Sequence, residues 1–240
     1  MSHRREQKEA LRREREERER QAREAGQRKK LVGYGVAGAL VLAAVVLVAI
    51  AMAGGGDGGD GPDASTDVFP DGGSVPEQTV FEVEPAARAA GCELRTHKGS
   101  GTQDHTTSLD ERVQYDTNPP TTGRHYQIPA EDGAYGEAPP DEAVVHALEH
   151  GRVVVWFKPN LPKDVRADLK AWYDKEEGFQ TLLVPRRDMD AQIAMSAWNG
   201  DPAPNGTGRI MLCTEVNEKT WDALQAFADE HRSRGPEPVP

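Results

Sequence analysis

The stretch Gly151-Arg-Val-Val-Val-Trp-Phe-Lys-Pro159 decides the fold. Its centre is β-branched and aromatic, and a glycine and a proline bound it, which is the pattern of a buried strand. The next segment, 162–177, carries Val165, Leu169 and Trp172 at helical spacing on one face. A buried strand followed closely by an amphipathic helix predicts a domain in which a sheet and helices share one core.

The sequence after residue 177 repeats the patterns of a buried strand and an amphipathic helix. Before the first strand, the chain from 92 to 140 is polar and rich in turn residues, with a short helix predicted ahead of it near 85–90. We therefore predict an α+β fold, a small mixed or antiparallel sheet with two helices and a long loop-rich N-terminal part, behind a single transmembrane helix. Further strands are predicted at 179–184, 193–198 and 209–213, a last helix at 219–231, and a frayed tail from 234 onward.

An uncharged apolar segment lies near the N-terminus. The 23 residues from Leu31 to Ala53 contain no charged side chain, and as a helix they would measure about 34 Å, enough to cross a bilayer core. Basic residues at 28–30 precede this segment, whereas Gly and Asp follow it, so the positive-inside rule places the N-terminus in the cytoplasm. The alternative is a cleaved signal peptide ending at Ala51-Met-Ala53, but the 30-residue leader favours a retained anchor.

These features divide the chain into four predicted parts. They are a charged cytoplasmic segment (1–30), a transmembrane helix (31–53), a flexible linker rich in Gly and Asp (54–77) and an extracytoplasmic α+β domain (78–240). The net charge is −11 although the first 30 residues carry 12 basic and 7 acidic side chains. The predicted domain is therefore acidic, which disfavours nucleic acid as its partner. The predicted partner of the segment 31–53 is membrane lipid, and no protein partner is predicted.

The chain has two cysteines, Cys92 and Cys213, and both fall on the predicted external side of the membrane. Thiols are not kept reduced there. We therefore predict a disulfide between them, and its formation would remove both sulfurs as metal ligands.

Five of the seven histidines lie between His97 and His150. His97 sits in a polar run and is interpreted as a surface residue, whereas His125 follows a loop stiffened by two prolines and a glycine. If a helix begins after Pro140, His146 and His150 share one helical face, a spacing that lets two imidazoles bind one metal ion. The candidate metal ligands are His105, His125, His146 and His150.

Glu149 lies between the last two of these histidines. As a carboxylate it could accept the second ring N–H of a ligand histidine. The string His146-Ala-Leu-Glu-His150 also matches the His-x-x-Glu-His pattern of zinc peptidases, in which the glutamate is the general base. That alternative needs a further ligand, for which Glu215 or Glu218 is available, but the match rests on three letters.

Longer motifs point to a family. Asn118-Pro-Pro-Thr-Thr-Gly-Arg-His-Tyr126, Gly133-Ala-Tyr135, Val145-His-Ala-Leu-Glu-His-Gly-Arg-Val-Val-Val155 and Ala197-Trp198 together resemble the bacterial domain of unknown function 3105, over about 92–238. The resemblance implies a membrane-anchored extracytoplasmic protein without an established activity. It also implies recurring histidines at His105, His125, His146 and His150 but not at His97. Asn199 departs from the pattern, which usually has glycine there.

The leading hypothesis is a membrane-tethered extracytoplasmic domain that binds a transition metal, copper or zinc, through the histidine cluster. No catalytic residue is assigned in this hypothesis. The alternatives are a metal-dependent hydrolase with Glu149 as base, and a metal-free interaction module of the cell envelope. Met189, Met195 and Met211 could supply a soft ligand for Cu(I), although methionine in a predicted sheet is more often part of a core.

Overall fold

The computed structural model describes residues 68–237. The predicted cytoplasmic segment, the transmembrane helix and most of the linker lie outside these residues. None of the helices in the described part of the chain is long and apolar enough to cross a membrane. In chain order the elements are α1 (Val83–Ala90), β1 (Glu93–Lys98), β2 (Gly133–Ala134), α2 (Asp141–Glu149), β3 (Val153–Phe157), α3 (Lys163–Lys175), β4 (Thr181–Pro185), β5 (Ile193–Asn199), β6 (Thr207–Cys213) and α4 (Thr220–His231).

The strands form one six-stranded sheet in the order β1-β6-β5-β3-β4-β2. β4 is parallel to both of its neighbours, β3 and β2, and the other pairs are antiparallel, so the sheet is mixed. The segment quoted above forms β3, with all five residues buried. The α+β fold is therefore confirmed.

Each face of the sheet has its own hydrophobic core. On one face Val153 and Val155 pack with residues of α1, α3 and α4, while on the other face Val154 and Trp156 pack with Val144 and other residues of α2. This alternation along β3 follows from the strand period of two. Both faces are covered, which explains why β3 is apolar throughout rather than alternating.

The sequence predicts two helices packed on the sheet and a short helix near 85–90, whereas the described residues form four helices that all pack on the sheet. The short helix is confirmed as α1, with eight residues. The fourth, α2, has nine residues and begins directly after Pro140. α2 is buried on nearly all sides, including the polar side chains of Glu142, His146 and Glu149. It therefore lacks the one-sided apolar pattern that identifies a surface helix.

The loop-rich region also contains the edge strand β1, which pairs antiparallel with β6. β1 is mainly polar and largely exposed, so it carries no strand pattern in the sequence. The predicted disulfide between Cys92 and Cys213 is present. Because it joins residues 121 positions apart, the chain-entropy relation gives it about 4–5 kcal/mol of stabilisation. It is typical of an oxidising, extracytoplasmic compartment.

Residues at both ends of the described part contact the core. The Phe69 ring lies 5.3 Å from that of Phe157, and the Ser74 N–H donates to Asp168 Oδ1 at 2.8 Å. At the other end the N–H of Gly200 donates to the Arg234 carbonyl at 2.7 Å. Residues 234–237, predicted as a frayed tail, are thus held against the domain by backbone hydrogen bonds, which a Pro-rich composition does not indicate.

Candidate metal centre

Two loop segments before α2 place the first two histidines side by side. His105 and His125 form an isolated parallel bridge, in which the Thr106 N–H donates to the His125 carbonyl at 2.7 Å and the His125 N–H donates to the Asp104 carbonyl at 3.1 Å. These backbone bonds hold the rings with their centroids 4.8 Å apart. Backbone hydrogen bonds within this polar, turn-rich region thus fix the positions of two imidazoles.

α2 supplies the other side of the site. Val144, Val145 and Leu148 pack into the core, which turns His146 and Glu149 toward the two loops. The loop after His125 is bonded to α2, since the Tyr126 N–H donates to the Glu142 carbonyl at 3.3 Å. His146 and Glu149 lie in the last turn of the helix, where the helix dipole favours a cation.

Four side chains converge between these elements. They are His105, His125, His146 and Glu149, each of which offers one ligand atom within 4.8 Å of the others. We refer to these four residues as the inner group. His125 and Glu149 are 0% exposed and His146 is 5% exposed. This buried group could hold a metal ion.

Hydrogen bonds to the backbone fix the tautomers of two of the rings. Nδ1 of His125 lies 2.8 Å from the Gly123 carbonyl oxygen, and Nδ1 of His146 lies 2.6 Å from that of Tyr126. A carbonyl oxygen only accepts, so both Nδ1 atoms carry the proton. In the neutral rings both Nε2 atoms then present lone pairs, as in histidines that bind metals.

The two Nε2 atoms face different partners. Nε2 of His146 lies 3.0 Å from Nε2 of His150, and a neutral His150 ring protonated at Nε2 can donate to it. Nε2 of His125 lies 2.9 Å from Oε2 of Glu149, and neither of these buried atoms has another hydrogen-bond partner. A neutral His125 ring and a carboxylate oxygen buried this close together repel one another unless a cation, either a proton or a metal ion, lies between them.

At neutral pH the surroundings of His146 and Glu149 favour the protonation states in which these side chains bind metal ions. Burial, followed by the neighbouring His125 and His150, lowers the pKa of His146 to about 4. Burial alone would raise the pKa of Glu149, but a hydrogen bond from a proton held between it and His125, and the Gln103 N–H, which donates to Oε1 at 2.6 Å, bring the pKa below its usual value. His146 is therefore neutral and Glu149 anionic, the forms in which these side chains bind metals.

His150, the fourth histidine predicted as a ligand, lies beside the inner group rather than in it. Burial, followed by Arg152, lowers the pKa of His150. Together with Glu149 and Glu237 it forms a second group whose ligand atoms lie within 4.8 Å of one another. Glu237 was missed because it belongs to the predicted frayed tail, and a single glutamate between prolines carries no signal of a ligand.

The remaining candidates lie elsewhere. His97 is in the edge strand β1, paired in register with Gly208. Glu215 and Glu218 are exposed, and neither belongs to a ligand group within residues 68–237. Met189, Met195 and Met211 are buried in the hydrophobic cores, as predicted.

Comparison with known proteins agrees with the sequence motifs. No curated protein and no solved structure matches the chain. One family matches residues 106–239, more than half of the chain, and its description is "Protein of unknown function (DUF3105)". The match begins one residue after His105 and includes the other three histidines of the cluster, α2 and Glu149. The chain therefore belongs to this family of proteins of unknown function.

Proposed function

We propose that the described domain is the extracytoplasmic part of a membrane-tethered protein and binds one transition-metal ion, copper or zinc, through the inner group. One observation carries the proposal. His125 Nε2 and Glu149 Oε2 lie buried 2.9 Å apart, and neither atom has another hydrogen-bond partner. A metal ion bound by both atoms would compensate their burial.

The choice of metal follows from the donor atoms. Three imidazoles and one carboxylate suit Zn(II) or Cu(II), and copper binds more tightly by the Irving–Williams order. Soft sulfur ligands would instead favour Cu(I). Both cysteines are in the disulfide. Met195 and Met211 pack on the sheet face opposite α2, and Met189, on the α2 side, is buried among apolar side chains. The proposal is therefore a divalent ion.

The contacts of Glu149 favour binding over hydrolysis. A general base needs a carboxylate oxygen free to take a proton from metal-bound water. Oε1 of Glu149 already accepts the Gln103 N–H at 2.6 Å, and Oε2 faces His125. Glu149 is also fully buried, so Oε2 meets the other ligand atoms rather than solvent water, which supports a role as ligand for this residue.

The disulfide and the apolar segment 31–53 support the location. A disulfide persists in an oxidising compartment, and the uncharged segment lies ahead of the domain with basic residues on its N-terminal side. A tethered domain at the outer surface would meet metal ions outside the cell. In the competing hypothesis, a metal-free interaction module, the same His and Glu side chains form only a buried polar network.

Metal titration of the full chain, purified in a mild detergent and stripped with a chelator, tests the proposal. We expect calorimetry to give one Zn(II) or Cu(II) per chain. His125→Gln and His146→Gln should each remove most of the binding, whereas the matched control His97→Gln should leave it intact. Absence of binding by the native chain, or unchanged binding in both site variants, would defeat the proposal and leave the interaction module.

A further inference from the structure

A second set of ligand atoms adjoins the inner group. Glu149, His150 and Glu237 have ligand atoms within 4.8 Å of one another, and we refer to these three residues as the outer group. Glu149 belongs to both groups. The two groups are also linked through the histidines of α2, because His146 Nε2 lies 3.0 Å from His150 Nε2.

The backbone holds Glu237 in this position. The Ser233 N–H donates to the Gly151 carbonyl at 2.7 Å, and the Glu237 N–H donates to the Glu149 carbonyl at 3.1 Å. Gly235 lies between these two bonds, so close to the end of α2 that any side chain would overlap the Glu149 carbonyl oxygen. The C-terminal segment therefore carries Glu237 to the end of α2 through its main chain, independently of the Glu237 side chain.

The two groups differ in how many of their ligands are buried. In the inner group His125, His146 and Glu149 are at most 5% exposed and His105 is half-buried. In the outer group His150 and Glu237 are both half-buried. A site whose ligands are mostly buried needs a path by which metal enters, and the outer group offers two half-buried ligands beside it.

We propose that the outer group is the exchange position through which a metal ion enters and leaves the inner group. This inference rests on the proposed function. Glu149 is the residue common to both positions. The ion would keep its bond to Glu149 while the inner imidazoles are replaced by the imidazole of His150 and the carboxylate of Glu237. No electron is transferred, and the ion stays divalent.

Charge favours one ion moving between two positions over two ions bound together. The groups share a single carboxylate, and two divalent ions a few ångströms apart repel strongly in a buried site. Glu237 supplies the outer position with a negative charge of its own. The neighbouring cation Arg152 forms its ion pair with Asp132, with Nε 3.2 Å from Oδ1, and not with Glu237.

Rates of metal exchange test this inference. The full chain in detergent is loaded with Zn(II), and release is followed by stopped flow after mixing with an excess of a colorimetric zinc chelator. Uptake is followed by mixing the stripped chain with Zn(II). We expect Glu237→Gln to slow both uptake and release, each by about tenfold, because removal of an exchange position raises the barrier in both directions. Glu218→Gln, which removes an exposed carboxylate elsewhere, is the matched control and should match the native rates.

The other outcomes each overturn a different claim. If Glu237→Gln keeps both native rates while the native chain binds one ion, the exchange position is wrong and the proposed function stands. Faster release with weaker equilibrium binding would make Glu237 an ordinary ligand, and two ions per native chain in equilibrium dialysis would make the outer group a second binding site. Both results overturn the inference. A native chain that binds no Zn(II) removes the proposed function and the inference with it.

Discussion

The backbone of Gly235 lies directly against the carbonyl oxygen of Glu149, without room for a Cβ atom. This contact joins the C-terminal segment to the end of the helix that carries His146 and Glu149. It also explains why a segment interpreted from its composition as a frayed tail is ordered.

Gly235→Ala should therefore displace the C-terminal segment. We expect a loss of about 1–3 kcal/mol in the free energy of unfolding, the usual cost of forcing an extra carbon into a packed place. Gly136→Ala is the control, because a Cβ there would meet only Val68 at 3.7 Å. Denaturant unfolding of both variants checks the expectation, and equal stability of the two would show that the contact is not tight.

The disulfide should contribute substantially to stability. Joining residues 121 positions apart restricts the unfolded chain, so Cys213→Ser should lower the free energy of unfolding by about 2–5 kcal/mol. Mass spectrometry without reduction should find the peptides of Cys92 and Cys213 joined. A reductant should destabilise the native chain and leave the Cys92→Ser, Cys213→Ser double variant unchanged. Reactive free thiols in the native protein would contradict the assignment.

His231 should make the chelator-treated protein sensitive to acid. Burial, followed by Arg209 and Arg234, lowers its pKa to about 4, below the value of about 6.5 in an unfolded chain. Between these values the unfolded state binds a proton that the folded state does not, so stability is complete above pH 6.5 and falls as the pH drops toward 4. The loss should be about 2–3 kcal/mol.

Denaturant unfolding at several pH values measures this effect. His146, whose pKa is also lowered to about 4, acts in the same direction, so His231→Gln should remove only part of the slope. His97→Gln should retain all of it. An unchanged slope in His231→Gln would mean that folding does not lower the pKa of this imidazole.

Glu149→Gln separates a metal ligand from a structural ion pair. If the pair of His125 and Glu149 exists to bind metal, a glutamine amide can donate to His125 Nε2, and the chelator-treated variant should be at least as stable as the native chain. The variant should then lose most of the increase in melting temperature that Zn(II) or Cu(II) gives the native chain. A buried ion pair predicts the opposite for the chelator-treated protein, a loss of about 3–5 kcal/mol.

The sequence predicts the parts of this fold whose signals are local. The apolar run 153–157 and the face of Val165, Leu169 and Trp172 identify β3 and α3, because burial on both sides or on one side leaves a pattern in the chain. β1 leaves none, since it is an exposed edge strand whose pairing with β6 depends on the tertiary fold.

The candidate site likewise has features that the local sequence predicts and features that depend on tertiary contacts. The spacing of His146 and His150 follows from helix geometry and is visible in the sequence. The bridge between His105 and His125 joins two loop residues, and the position of Glu237 depends on backbone bonds to α2. Contacts between residues so far apart in the chain are set by packing, so neither the exact composition of the inner group nor the existence of the outer group follows from local pattern.

X-ray absorption spectroscopy of the metal-loaded full chain tests the central claim most directly, because it counts the atoms bound to the ion. With one equivalent of Zn(II) we expect four ligands at about 2.0–2.2 Å, three of them imidazole nitrogens and one a carboxylate oxygen. His125→Gln should lose an imidazole from this shell, and His97→Gln should not. A shell without imidazole, or one containing sulfur, would contradict the assignment of the inner group as the metal site.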